Sequence, residues 1–313
     1  TLRDAINTAV SGDTIQFDPG IDGGTIALSQ YSNDTSLGST EFGPSAFFIS
    51  HGTTLFIDGE TGLTHGIAIA RDTSKAPFRL FDVENGSRLT LLGLTFKNGL
   101  AQGFGSDFGG GALGAGGAIF NQGSLTIDRC TFVGNSAQGG ASGDGSNSFG
   151  GAGVGSASPP GGDGGGPNGA SYVGGENAGF GGGGYSYSAG SAGGFGGGGG
   201  EGGLTGGAGG FGAGGGGSAA GAAASGGYGG GTGGTTGSPY PRGGGGAGMG
   251  GAIFNDAGSL TITNSTFTGN SASGGVGGSG ATGGSGFGGA IFNYSAALDI
   301  LSSTLAHNAV AAA

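Results

Sequence analysis

The chain has 313 residues, 91 of them glycine, and a net charge of −11 from 19 acidic and 8 basic residues. With 8 prolines and no Gly-X-Y period it is not collagen, and without a basic footprint it is no nucleic-acid binder. A lone cysteine, Cys130, excludes an intrachain disulfide and a cysteine-rich metal site.

The N-terminus opens on Leu2, Ala5, Ile6 and Ala9, whose i, i+3, i+4, i+7 spacing predicts a short amphipathic helix ended by Gly12. Ile15 and Phe17, then Ile26 and Leu28, read as the first strands. A start at Thr1, with no Met and no visible signal sequence, fits a processed product or an excised domain. No apolar run reaches the roughly eighteen residues of a membrane-spanning helix.

An internal repeat follows. A degenerate copy begins at Phe81 and continues through Leu89-Thr90-Leu91 to Thr95-Phe96. Gly-Gly-Ala-Ile-Phe-Asn then stands at 116–121, 250–255 and 288–293. Each copy leads to an alternating strand (Leu125 and Ile127, Leu260 and Ile262, Leu298 and Ile300) and on to Phe132, Phe267 or Leu305. One repeat, Gly116 to Ala137, holds three short β-type segments and cannot bury its own apolar face. Stacking the copies as a parallel β-helix solves this. The expected apolar ladders are Ile119/Ile253/Ile291, Leu89/Leu125/Leu260/Leu298 and Phe96/Phe132/Phe267/Leu305. Two asparagine columns, Asn121/Asn255/Asn293 and Asn135/Asn270/Asn308, read as structural turn ladders. The predicted helix would cover the first coil's open edge. The last coil has no such cover, which makes Leu298, Ile300 and Leu305 candidates for head-to-tail self-association into filaments.

Three stretches leave the coil, at about 99–115, 138–249 and 273–287. This divides the chain into a cap and first coils (1–137), a glycine-rich insertion (138–249) and C-terminal coils of the same stack (250–313). The insertion's only branched aliphatics are Val154, Val173 and Leu204, so it has no conventional core. Phe149, Phe180, Phe195, Phe211 and Tyr228 precede glycine runs, the last four separated by 15, 16 and 17 residues. These features predict a layer of polyglycine II-type rows, parallel and antiparallel, with three residues per turn and hydrogen bonds only between rows. The aromatics would cover the layer or seat it on the coil. Ser-Pro-Pro at 158–160 and Ser-Pro-Tyr-Pro at 238–241 read as turns between rows.

Thr1-Leu2-Arg3-Asp4-Ala5-Ile6, Gly12-Asp13-Thr14-Ile15-Gln16-Phe17-Asp18-Pro19-Gly20 and the coil motif itself resemble bacterial secreted and surface proteins with a pectin-lyase-like, right-handed parallel β-helix. In that group a Cys-Ser-Leu-Arg-Glu-Ala stretch marks the opening. The resemblance spans roughly residues 1–28, 81–137 and 250–309, and implies an extracellular or cell-surface protein with structural or adhesive work.

Lyases of the same fold need a carboxylate-bound Ca²⁺ and a basic residue, and hydrolases need a tight carboxylate group. Asp58, Glu60, Asp72, Asp82 and Glu84 read instead as a solvated acidic face. His51, His65 and His307 are isolated, and Cys130 aligns with Ser265 and Ser303 as a small coil residue. No catalytic, cofactor-binding or metal-binding set is expected. Two alternatives to the structural reading remain. One is ice binding on the threonine columns Thr126/Thr261 and Thr131/Thr266/Thr304. The other is glycan binding on Tyr172, Tyr185 and Tyr187.

Overall fold

The computed structural model describes residues 1–31, 42–143, 145, 147–153, 161, 163–165, 181–235 and 241–313. The N-terminal helix is Leu2–Thr8. Thr1 and Asp4 form its capping box, and Leu2 and Ile6 face the core. It ends before Gly12, because Ala9 is already extended. Arg3 donates from Nη1 to the carbonyl of Ala46 at 2.6 Å and from Nη2 to that of Gln30 at 2.7 Å. The first of these satisfies an acceptor on Ser45–Ile49, the edge strand of its sheet.

The rest is predominantly β, with five all-parallel sheets among the described residues. One sheet runs through Thr14–Gln16, Thr54–Asp58, Arg88–Leu92, Ser124–Asp128, Ser259–Thr263 and Ala297–Leu301. A second runs through Thr25–Leu28, Ile67–Arg71, Leu94–Lys97, Thr131–Val133, Thr266–Thr268 and Thr304–Ala306. A third holds Ser45–Ile49, Arg79–Val83, Ile119–Asn121, Ile253–Asp256 and Ile291–Tyr294. The remaining two are short. They pair Leu100–Gln102, Ser136–Gln138, Ser271–Ser273 and Ala309–Ala311, and Gly114–Ala115, Gly248–Met249 and Gly286–Phe287. Each pass of the chain from Gly114, Gly248 or Gly286 visits all five sheets once and pairs in register with the next pass, an arrangement compatible with a parallel β-helix.

A repeat therefore has five short strands rather than three. The two additional ones are Gly- and Ala-rich or Ser-flanked, so no apolar alternation betrays them. Part of 99–115 and 273–287 also belongs to the coil, since Leu100–Gln102, Gly114–Ala115 and Gly286–Phe287 are paired strands. Left-handed corners separate the strands and stack in columns. Gly93, Arg129, Asn264 and Ser302 share one, with φ of 62, 50, 50 and 49°. Gly116, Gly250 and Gly288 share another, at 64, 68 and 60°.

Inside the coil, Ile119 faces Ile253, Leu125 faces Leu260 and Phe132 faces Phe267, all fully buried or nearly so. The Phe132 ring lies 4.8 Å from Phe96 and 4.6 Å from Phe267, stacked on both.

The described part of the glycine-rich segment is ordered in rows with a three-residue hydrogen-bond period. Gly190, Gly193, Gly196, Gly199 and Gly202 donate to Thr205, Ala208, Phe211, Gly214 and Gly217 at 2.9–3.1 Å. Gly206, Gly209, Gly212, Gly215 and Ser218 donate in turn to Ala222, Ser225, Tyr228, Gly231 and Gly234. These neighbours run parallel. Gly207 to Gly200 and Gly210 to Gly197 mark antiparallel ones. Successive donors in one row reach three different rows: Gly198 to Ala152, Gly199 to Gly214, Gly200 to Ser191. Backbones approach so closely that a Cβ on Gly151 would run into the Gly198 carbonyl. Residues beyond 138–249 join in, because Gly214 donates to Gly111 and Gly284 to Gly275. The expected turns at 158–160 and 238–240 lie outside the described residues. No helix among the described residues is long and apolar enough to cross a membrane.

Truncating Phe132 to Ala removes a ring stacked on both sides, and is expected to lower coil stability by about 3–5 kcal/mol. Leu305, 44% exposed in the same column, should lose only on the order of 1 kcal/mol on the same change. Denaturant titration of both variants checks the order; equal losses would contradict the buried stack.

Candidate functional site: polar ladders and an aromatic seam

The asparagine columns are hydrogen-bond ladders. Asn121 Nδ2 donates to Asn255 Oδ1, and Asn255 Nδ2 to Asn293 Oδ1, each at 2.6 Å. In the second column Asn135 and Asn270 donate to the next Oδ1 at 3.0 and 2.9 Å. The same Oδ1 atoms accept the backbone N–H of Asn135 and Asn270, both at 3.0 Å. Asn135, Asn270 and Asn308 Nδ2 also donate to the carbonyls of Phe96, Phe132 and Phe267. These amides are engaged on both ends, as buried polar groups must be. Beside them runs a third column. Cys130 N–H donates to Ser265 Oγ and Ser265 N–H to Ser303 Oγ, both at 3.0 Å. Burial pushes the Cys130 thiol up to about 12, far from a thiolate.

The carboxylates do not converge. Asp58 Oδ1 accepts the N–H groups of Glu60 and Thr61 at 2.9 and 3.0 Å. Its burial opposes ionisation, yet bonds from Thr61, Glu60 and Gln16 outweigh it and hold the group at about 2. Glu60 pairs with Arg129 at 2.8 Å, Asp72 caps Ser74, and Glu84 accepts the N–H of His51. Asp82 lies 3.9 Å from the buried Arg79 guanidinium. Burial brings Arg79 down to about 10, and it donates to the carbonyls of Gly43 and Ala115 while its Nε has no partner. Arg71 likewise serves backbone, donating to the carbonyls of Asn98 and Lys75. His65 binds Asp22 through its N–H and its ring, which holds that carboxyl at about 2. His51 Nδ1 lies 2.5 Å from the Asn85 carbonyl, and His307 occupies a left-handed corner. Among the described residues no three His, Cys, Asp or Glu side chains gather to hold a metal ion.

The aromatics form a seam. Phe195, Phe211 and Tyr228 each precede a glycine with φ of 73, 76 or 77° at the tip of a glycine hairpin. Their rings stack at 5.2 and 5.5 Å with interplanar angles of 9 and 6°. Tyr294 lies 4.3 Å from Phe211, and Phe254 and Phe292 pack against the same row. Phe120, Phe254 and Phe292 stand one residue after the core isoleucines, so they point out of the coil and into this seam. The aromatic spacing in the sequence is thus the length of one out-and-back hairpin.

On the opposite side Asp107, buried, forms an ion pair with Arg242, whose guanidinium lies 4.6 Å over the Phe108 ring. Asp107 also accepts from the N–H of Gly145 and Asn147. Arg242 is the one cation of 138–249. Tyr185 sits between Phe149 and the exposed Tyr187, at 5.3 Å from each. Tyr172 and Phe180 lie outside the described residues. Hollows among the described residues include a groove of about 310 Å³ lined by Tyr31, Pro44, Pro77, Gln102 and Phe104, and a shallow one of about 330 Å³ along Arg88, Gln122, Ser124 and Ser259. Leu298 packs against the core cluster, while Ile300 and Leu305 of the last coil are exposed. The threonine column is longer than expected: Thr95, Thr131, Thr266 and Thr304 stand in register, whereas Asp299 ends the column of Thr90, Thr126 and Thr261.

No protein-family model, no curated protein and no solved structure matches this chain.

Two substitutions separate ladder from spacer. Asn270→Ala strands the amide of Asn135 and the carbonyl of Phe132, and should cost on the order of 3 kcal/mol. Cys130→Ser places in the column the residue its neighbours already use, and should change stability by less than about 1 kcal/mol. Thermal unfolding of both variants checks the contrast.

Proposed function

We propose that this chain is a non-enzymatic structural or adhesive protein of the cell surface or extracellular space. In this reading it is a right-handed, pectin-lyase-like parallel β-helix of which 1–137 and 250–313 are one stack. The segment 138–249 forms a polyglycine II-type layer on its side. In-register parallel pairing supports the first element, and the three-residue hydrogen-bond period supports the second. The observation that carries the functional reading is where the reactive side chains are spent. Arg71, Arg79, Asp58, Asp82, Glu84 and Cys130 are each committed to backbone or to one another. No pair of them shares an open cleft in the manner of an acid and a base.

The proposal extends to head-to-tail assembly, in which the free strand edges beside Leu298, Ile300 and Leu305 pair with another copy. A second reading, ice binding, draws on one observation, the four-threonine column Thr95/Thr131/Thr266/Thr304 repeated at about 4.8 Å. Thermal hysteresis of the purified protein would favour it over the first.

Three measurements test the leading reading together. Pectin, polygalacturonate and alginate should yield no unsaturated or reducing ends, with or without Ca²⁺; release that disappears in Arg71→Ala or Arg79→Ala would overturn it. Retention on immobilised glycans that Tyr185→Ala and Tyr187→Ala abolish would favour the glycan-binding alternative instead. Light scattering should report assemblies that Leu298→Asp dissolves, and a strict monomer at high concentration would remove the filament.

A further inference from the structure

Glu201 stands alone among glycines. It is 3% exposed, and its Oε2 is buried without a hydrogen-bond partner. Its backbone ties three rows together: the N–H donates to the Phe149 carbonyl at 2.8 Å, and the carbonyl accepts from the Ser186 N–H at 3.3 Å. Its neighbours along the row continue the register, with Gly200 donating to Ser191 and Gly202 to Gly217. These rows bring the phenol of Tyr185 near the carboxyl, with Tyr187 beyond it. No lysine or arginine lies in 138–249 except Arg242, and Asp107 holds that one.

Among the described residues a carboxylate in such a place has no counter-charge and no donor at Oε2, and desolvating it costs far more than desolvating the neutral acid. We propose that Glu201 is a protonation lock on the glycine layer. The rows at 149–152, 181–186 and 198–202 close over it while the carboxyl carries its proton, and open to water when it ionises. This gives the layer a pH-sensitive element of its own; the buried coil carboxyl of Asp256, also pushed up by burial, differs in accepting a hydrogen bond from Gln122 Nε2 at 2.8 Å, which favours its charged form.

Burial pushes the group up to about 8 from the ordinary carboxyl value. The sign follows. Below the ordinary glutamate value near 4.3, open and closed layers both hold the proton and closure is at its full strength. Between there and about 8 the open form ionises and the closed form does not, so closure weakens roughly tenfold per pH unit. Above about 8 the loss is complete.

Hydrogen exchange on the full chain, corrected for the intrinsic pH dependence of each amide, reads this directly. Protection of Gly183, Gly198 and Gly199 should fall about tenfold per unit between pH 6 and 8. Amides of 259–268 in the coil should stay flat. Glu201→Gln keeps the shape and cannot ionise, so its profile should be flat at all these positions. The same slope in Glu201→Gln as in the parent, or no slope in the parent, would overturn the lock. Should Glu201→Gln not fold, infrared spectroscopy of Asp256→Asn, which removes the other carboxyl raised by burial, decides. A protonated carboxyl band present at pH 6.5 and lost by pH 9 supports the lock, and its absence at pH 6.5 refutes it.

Discussion

Hydrogen bonding between adjacent backbones, in register, is the constraint on which everything else in this molecule rests. Neither a β-coil nor an extended glycine row bonds to itself, so every buried N–H must be met by the neighbouring pass. That requirement turns sequence repetition into columns. Once passes are in register, like side chains stand about 4.8 Å apart, and only residues that tolerate their own kind at that distance remain. Phenylalanines stack, asparagines chain donor to acceptor, and serines share hydroxyls. In the glycine rows the approach is closer still, and side chains are excluded altogether wherever a Cβ would meet a carbonyl.

The motif Gly-Gly-Ala-Ile-Phe-Asn condenses this logic. Its first glycine makes the left-handed corner, as in Gly116 and Gly250. At the second, a Cβ would strike the next pass, as at Gly117 against the Gly251 carbonyl. Alanine and isoleucine fill the coil, and asparagine enters its ladder. Phenylalanine does something different: one step beyond isoleucine, it must face outward, and a buried ring there needs a second body to cover it. The hairpin tips Phe195 and Phe211 provide that cover, with Tyr228 stacked alongside. Coil and layer are therefore complementary parts of one packing solution. A coil without the layer would expose a stripe of phenylalanines, and a layer without the coil would leave the rings at its hairpin tips uncovered.

What could be read from the sequence follows from which columns carry large side chains. The alternation around Leu125, Leu260 and Leu298 specifies strand and register at once, because a one-residue slip would invert the buried face. The helix was legible from four spaced apolar residues, although Ala9 rather than Gly12 ends it. The strands Gly114–Ala115 and Ser136–Gln138 were not legible, since glycine, alanine and serine report nothing about facing. The same reason hid the reach of the layer into 108–113 and 274–285, where ordinary glycine-rich loop and bonded row look alike. Asp107 and Arg242 are far apart in sequence and share no motif, so only the folded register brings them together. The solvated acidic face expected of Asp58, Glu60, Asp72, Asp82 and Glu84 does not form: Asp58 and Asp82 are buried, Asp82 lies beside Arg79, Glu60 pairs with Arg129, and Asp58, Asp72 and Glu84 accept backbone N–H groups of nearby turns.

Charge placement follows from the same constraint. A repeated column multiplies any group placed in it, so an ionisable residue inside the stack would face its own charge on the next pass. The chain limits this by placing charge at corners, in irregular early passes, in unique pairs such as Glu60 with Arg129, or opposite a neutral residue of the next pass, as with Asp299 against Thr261. Asp107 with Arg242 clamps the limb that returns from the layer, and Arg79 braces the Gly43 and Ala115 carbonyls. Within the described glycine rows 181–235, Glu201 alone breaks this pattern. A neutral residue of its size would fill the space without a proton's help. Retaining a carboxyl there gives up some stability at neutral pH in exchange for a dependence on proton concentration that no glycine row could otherwise possess.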